Sequence, residues 1–413
     1  MTKNQIEAKK RKTFNNRKPS YVSRKHDRTA LVLQGGGALG AYQAGVYEEL
    51  LTTKYQPDWV AGVSIGAINA ALIAGNPPAR RIERLFEFWH LVSSGMGSLT
   101  EHLLCPKWLD GPSGQTRNML NQVSALCSTM WGVPGFYRPP IIPAPFQPDG
   151  SQEALGIYST APLKKSLERL IDFDLINSKT IRLSLGAVNV STGNSEYFDN
   201  FEQKIGAEHV MASGALPPAF APVIIDGQSY WDGGIVSNTP LQYVIDKRRK
   251  DSLLIFQVDL FSARGNVPTN LSEVQKRTKD LIYSSRTRYN GDMAAQVINN
   301  SKEVRDVLMT LPPRIKNNAR IKRLIEAMRS PPTDIVQLIY RQKPYELQSN
   351  DYEFSRTSVL EHWDAGRLEL RKTLAHPEWL EGRGLEDGVT QYDYAQLPHS
   401  SLTKHGKARG TTL

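Results

Sequence analysis

Cysteine is nearly absent from this 413-residue chain, which holds only Cys105 and Cys127. Two thiols so far apart make no C-x-x-C pair and are too few for a disulfide framework, so a small disulfide-stapled fold is excluded and a reducing cytoplasm fits. Residues 1–28 are polar and basic and lack an apolar core segment, so no secretory leader is expected there. Long hydrophobic runs are missing too. The most apolar stretch, Trp59 to Gly75, is interrupted by Ser64, Asn69 and glycines, and it falls short of the roughly 20 residues that a membrane span needs. It reads as a buried strand running into a buried helix.

What is present is a globular composition, 40% hydrophobic and 22% charged, long enough for one large domain or two ordinary ones. The net charge of +10 is concentrated at the ends. Residues 1–28 carry ten Lys/Arg against Glu7 and Asp27, and Lys404, Lys407 and Arg409 lie near the C-terminus, so the body between them is almost neutral. Such arms suit an anionic lipid surface, nucleic acid or an acidic partner, or else serve as a solvated tail. They hold no recognition motif or aromatic platform, which ranks nucleic acid last.

The chain organises into apolar strands alternating with helices. Thr29–Leu33 opens into the glycine run Gly35–Gly40, and a helix follows to about Leu51. Asp58–Val63 is the next strand, followed by a helix ended by Gly75 and Pro77, and then a helix from about Pro78 to Leu91. This rhythm predicts a parallel sheet with flanking helices. Residues 93–157 interrupt it, with six prolines between Gly132 and Pro148, and read as an insertion covering a site. Further on, Pro162–Ile171 reads as a helix capped by Ser159 or Thr160, and Ile181–Val190 as a strand followed by another around Tyr197. Asp226-Gly227 marks a hairpin, Leu253–Leu260 a strand, and Asn270 to Ser330 a charged, mainly helical stretch. Ile335–Tyr340 reads as one more strand and residues 357–375 as a helix, with a polar, disordered tail from about Glu386.

Three motifs carry chemistry. Gly62-Val63-Ser64-Ile65-Gly66 is a G-x-S-x-G sequence between an apolar strand and a helix. A serine on so sharp a turn needs glycine on both sides, and it stands at a helix N-terminus that favours a developing alkoxide. Gly35–Gly40 also satisfies the dinucleotide fingerprint G-x-G-x-x-G, but Asp58 precedes the second strand rather than ending it, which disfavours a nucleotide site. Three consecutive glycines can instead present backbone N–H groups to an oxyanion; the plain structural reading is a tight turn. Asp232-Gly233-Gly234 follows the hairpin and, alone, is an ordinary turn.

Taken in order, the glycine loop, G-x-S-x-G and D-G-G resemble the marks of the patatin-like phospholipase family. The segment from Ala212 to Phe220 and Asn238-Thr239-Pro240 resemble the family's surroundings of its aspartate. The resemblance spans about residues 29–260. It implies a three-layer α/β/α sandwich with a mostly parallel sheet, Ser64 as nucleophile and Asp232 as base. It also implies an oxyanion hole from Gly35, Gly36, Gly37, Ala38 and Gly40, with Gly62, Gly66, Gly233 and Gly234 as supporting glycines and no metal or cofactor. The implied activity is hydrolysis of lipid acyl esters through an acyl-enzyme. Residues 261–385 resemble the mainly helical C-terminal extension of some bacterial members. They are expected to pack beside the catalytic domain and offer a surface for self-association or a protein partner, while the basic arm of residues 1–28 brings the enzyme onto anionic membrane, at the inner face.

Two rivals remain. An α/β-hydrolase triad needs the order Ser, Asp, His, and the histidines after Asp232 are His362, His376, His399 and His405, all in the extension or the tail of residues 386–413. A scaffold or partner-binding protein built on the same domain is the other.

Overall fold

The computed structural model describes residues 26–95, 114–248, 251–329, 331–343, 345–346, 348–375 and 388–393. Most of the basic arm, Cys105, His376, His399, His405 and most of the polar tail lie outside the described residues.

Nine strands form one mixed sheet: β1 (Arg28–Leu33), β2 (Trp59–Val63), β3 (Arg182–Asn189), β4 (Ser195–Asp199), β5 (Val223–Ile225), β6 (Gln228–Asp232), β7 (Leu253–Asp259), β8 (Thr333–Ile339) and β9 (Val389–Tyr392). The order is β5-β6-β3-β2-β1-β7-β8-β9, with β4 also on β3. From β3 to β9 along this path every pairing is parallel, whereas β4, β5 and β6 are antiparallel additions. The central strands are apolar on both sides because both faces are covered. Leu31, Leu33, Val60, Leu254, Phe256 and Val258 point into one core with the helices Ala41–Leu51, Ile65–Ala74 and Arg81–Val92. Their alternates Ala30, Val32, Ala61, Leu253 and Ile255 pack with Leu241, Val244 and Ile245 of the helix Leu241–Lys247 and with Ile298 of the long helix Leu271–Met309. The expected three layers are therefore present.

Trp59–Gly75 is a buried strand and helix, as its sequence suggested, and no helix among the described residues is long and apolar enough to cross a membrane. The Asp226-Gly227 turn has both residues at positive φ, 50° and 77°, which is the backbone a two-residue hairpin favours. The helix Ala161–Leu170 has no side-chain cap from Thr160; Ser159 Oγ accepts from Ala161 N at 3.4 Å.

The C-terminal region is mainly helical but is woven into the sheet. β8 pairs with β7 over its full length, and β9 pairs with β8. Residues 389–392 thus form an edge strand where the sequence suggested a disordered tail. Thr390 and Gln391 are polar, and pairing with β8 sets Val389 and Tyr392 against the core. The helix Arg356–Leu374 packs directly on Ala41–Leu51, backbone to backbone. A Cβ on Gly45 would come 1.9 Å from the Trp363 carbonyl oxygen, and one on Gly366 would come 2.0 Å from that of Tyr42.

Candidate active site

The site lies at the carboxyl ends of β1, β2 and β7, where parallel sheets of this kind open a crevice. Ser64 follows β2 with φ of 57° and ψ of −126° and starts the helix Ile65–Ala74, whose residues are all buried. Such a φ is rare for a residue with a Cβ, and the surroundings hold it in place. Ser64 N–H donates to both the carbonyl and Oγ of Ser213, each at 3.1 Å, while Ser213 Oγ donates to the Gly186 carbonyl at 2.6 Å. A Cβ on Gly62 would sit 2.2 Å from the Gly66 carbonyl oxygen, and one on Gly66 would sit 2.4 Å from that of Leu33. Both motif glycines are there because backbone approaches backbone.

Asp232 arrives from the other direction. β2 lies beside β3 as far as Gly186, which faces Val63, and β6 takes over from Ala187, which faces Asp232. Both strands must share one edge of β3, since β4 occupies Ser184 to Val188 on the other. Asp232 is thus delivered to the end of β2, where Ser64 begins. Its carboxylate accepts a hydrogen bond from Gly234 N–H at 2.7 Å, and the Ser64 hydroxyl lies close enough to pull its pKa down. Gly233 fits because a Cβ there would meet the Gly186 carbonyl oxygen at 2.6 Å. Burial pushes the Asp232 pKa up to about 6, against the opposing pull of the Ser64 hydroxyl and the Gly234 N–H.

The glycine loop lies against the serine, since a Cβ on Gly35 would come within 2.9 Å of Ser64 Cβ. Its N–H groups divide into two kinds. Gly35 N–H is spent on the Asn238 carbonyl at 3.1 Å, and Ala38 N–H on the Asp351 carbonyl at 2.7 Å. Gly40 packs against Ile65 and Trp89, and its carbonyl accepts from Asn69. Gly36 and Gly37 are the partly exposed members of the run, and no partner among the described residues takes their N–H groups. Of the residues expected to face an oxyanion, Gly35 and Ala38 therefore have their N–H groups committed internally, Gly40 serves packing, and Gly36 and Gly37 are open.

A buried polar chain supports the loop from below. Trp89 Nε1 donates to Asn69 Oδ1, Asn69 Nδ2 to Gln43 Oε1, and Gln43 Nε2 to the Gln34 carbonyl, at 3.0, 2.9 and 2.6 Å. Gln34 Oε1 then receives the N–H groups of Leu260 and Phe261 at 2.6 and 3.1 Å. The only signal for these residues in the sequence was amides set in apolar surroundings.

No described histidine enters the site. His209 accepts from Gly206 N–H and packs edge-on against Phe198, and His362 bonds Glu346. The insertion is rooted by Val133, Phe136 and Tyr137 in the core, and its residues Ile141, Ile142 and Phe146 stand exposed. It joins the site's surroundings through Ile157 and Tyr158, whose N–H groups donate to the carbonyls of Pro218 and Ala219.

A family model described as "Patatin-like phospholipase" matches residues 31–245, and a second, described as "Patatin phospholipase", matches residues 281–384. The chain belongs to the patatin-like phospholipase family. Curated relatives share short stretches with this family member. A patatin-like phospholipase domain-containing protein of Caenorhabditis elegans is 42% identical over 59 residues, 14% of this chain and 5% of its own length. The triacylglycerol lipase SDP1L of Arabidopsis thaliana is 38% identical over 66 residues, 16% of this chain and 8% of its own. The chain thus spans less than a tenth of either relative. Among solved structures, VipD from Legionella pneumophila is similar at 16% identity and a TM-score of 0.35, covering 84% of this chain and 67% of that one. ExoU in complex with SpcU from Pseudomonas aeruginosa is similar at 17% identity and a TM-score of 0.24, covering 88% and 76%.

Proposed function

We propose that this patatin-like protein is a lipid acyl hydrolase that cleaves carboxylic esters through a Ser64–Asp232 dyad. The observation that carries the reading is the Ser64 hydroxyl set beside the buried Asp232 carboxylate, whose pKa is pushed up to about 6. A carboxylate at its ordinary pKa is a weak base toward serine, and one raised towards neutrality is better matched. In this reading Asp232 takes the Ser64 proton as Oγ attacks the ester carbonyl. The N–H groups of Gly36 and Gly37 receive the oxyanion, and the N-terminus of Ile65–Ala74 lowers the cost of the negative charge. Collapse of the tetrahedral intermediate releases the alcohol, with the proton from Asp232, and leaves an acyl-Ser64. Asp232 then draws a proton from water, which attacks the acyl group, and returns that proton to Ser64 Oγ as the Oγ–acyl bond breaks and the acid leaves.

The substrate class follows from family and surroundings: a lipid ester, met at a surface by the apolar insertion and by the basic arm of residues 1–28. Hydrolysis of a short-chain nitrophenyl ester by the wild-type protein, and its abolition by a serine-reactive phosphonate, tests the chemistry. Incubation of lipid extract with wild type beside Ser64→Ala identifies the acyl donor. A wild-type protein that turns over neither would leave the scaffold reading in its place.

A further inference from the structure

The C-terminal region reaches the glycine loop at Gly37 and Ala38. Its backbone touches the loop at Asp351, whose carbonyl oxygen accepts the Ala38 N–H at 2.7 Å. The approach is so close that a Cβ on Gly37 would lie 2.0 Å from that oxygen, and Gly37 adopts φ of +54°. Asp351 is itself fixed from the long helix Leu271–Met309. Lys279 Nζ donates to Asp351 Oδ1 at 2.8 Å and to the Gln348 carbonyl at 2.7 Å, and its charge stands 5.5 Å from the Tyr352 ring centre. The same helix presents Tyr283 to the base of the loop. The Tyr283 ring packs on Phe261, the Tyr283 carbonyl accepts from Gln34 Nε2 at 3.4 Å, and a Cβ on Gly36 would strike Leu260 and Phe261.

We propose that the C-terminal region is a working part of the catalytic centre: Lys279, acting through Asp351, is a positioning residue that holds the Gly36–Gly37 turn with its N–H groups set for the oxyanion. The proposal rests on the hydrolase reading above and deepens it. The physical reason is direct. Glycine-rich backbone samples many conformations, and an oxyanion donor works only if its direction is set before the charge develops. Asn238 ties down Gly35 and Asp351 ties down Ala38, so the two open N–H groups lie between two fixed points. A peptide carbonyl contributes here what no side chain of the Gly35–Gly40 run can. Lys279 anchors the short segment that carries it.

The test is a comparison of Lys279→Met, Lys279→Arg and Asp351→Asn in the full-length protein. Each is assayed with a nitrophenyl ester and with a trifluoromethyl ketone, which becomes an oxyanion only when Ser64 adds to it. A positioning role predicts that kcat falls by about tenfold or more in Lys279→Met while KM stays within about twofold. Ketone affinity should fall in parallel, and Lys279→Arg should recover most of the loss. Asp351→Asn, which preserves shape, should show the same split in milder form and serves where Lys279→Met does not fold. Unchanged kcat and ketone affinity in the folded variants, or losses confined to KM, would overturn the proposal. The Ser64→Ala control separates the two claims. If it is inactive while the Lys279 variants are normal, the hydrolase reading stands and the positioning role fails; ester turnover surviving in Ser64→Ala ends the hydrolase reading itself.

Discussion

Asn238 and Gly35 exchange two hydrogen bonds, Gly35 N–H to the Asn238 carbonyl at 3.1 Å and Asn238 Nδ2 to the Gly35 carbonyl at 2.9 Å. Asn238 also packs beside Gly234, where a Cβ would meet its Oδ1 at 2.7 Å. One buried amide therefore couples the glycine loop to the turn that carries Asp232. Asn238→Ala leaves the Gly35 carbonyl without this partner, a loss of about 1–3 kcal/mol. Chemical denaturation should show that loss, and ester hydrolysis should fall by more than the folded fraction accounts for. Activity equal to wild type at full folding would mean that the loop needs no such tie.

The raised pKa of Asp232 gives activity a pH signature. The base form is the ionised one, so kcat/KM should rise with pH through about 6 and then level. The folded protein holds this carboxyl protonated more readily than the unfolded chain does, so the associated stability is full below the unfolded carboxyl range and is lost as pH rises through about 6. Activity and stability therefore run in opposite directions over that interval. A pH–rate profile flat from pH 4.5 to 8 would contradict the assignment.

Asp259 offers a matched control. It is buried at the end of β7, and burial pushes its pKa up to about 7, although hydrogen bonds from Gln257 and Thr239 pull it down. Its contribution to stability is present at low pH and lost as pH rises through about 7. Asp259→Asn should flatten the stability profile between roughly pH 4 and 7 while keeping the pH dependence of hydrolysis. Loss of that dependence would transfer the titrating base from Asp232 to Asp259.

Histidine should be dispensable for proton transfer. Replacing His209, His362, His376, His399 and His405 singly is expected to leave most activity in each variant that folds. His209→Gln is the most informative, because His209 lies on the helix Ala207–Ser213, whose Ser213 holds the Ser64 N–H, yet bonds only Gly206 and Glu208. A folded histidine variant as inactive as Ser64→Ala would establish a triad.

Vesicle binding should depend on charge and on the insertion. Each Lys or Arg near an anionic surface contributes on the order of 1 kcal/mol, screened by salt. Deleting residues 1–25, which stops short of β1, should weaken binding to anionic vesicles most, and replacing the exposed Ile141, Ile142 and Phe146 by serine should weaken binding to neutral ones. Equal binding by wild type and both variants would remove these segments from any membrane role.

Much of the centre of the fold was legible because its signals are local. The apolar strands are bounded by glycine turns, Asp226-Gly227 forms the hairpin expected of it, and Gly62 and Gly66 occupy positions where a Cβ would meet backbone. The division within Gly35–Gly40 was not legible. Whether a backbone N–H is open depends on Asn238 and Asp351, distant in the chain, and no property of a glycine reports them. β9 was hidden for the same reason: Val389–Tyr392 is a strand only against β8. The buried amides Gln34, Gln43 and Asn69 showed composition without partners, and their chain becomes visible only once β1 and its following helix lie together.

The central claim, that Ser64 and Asp232 act as one unit, is tested most directly by kcat/KM for Ser64→Ala, Asp232→Asn and the double variant against one ester. Groups acting in one proton transfer lose their effect together, and in the subtilisin triad single losses cost up to about six orders of magnitude and do not add. The account predicts that each single variant loses at least about a thousandfold and that the double variant is within a fewfold of the worse one. Additive losses, or an Asp232→Asn protein that retains a tenth of wild-type activity, would contradict it.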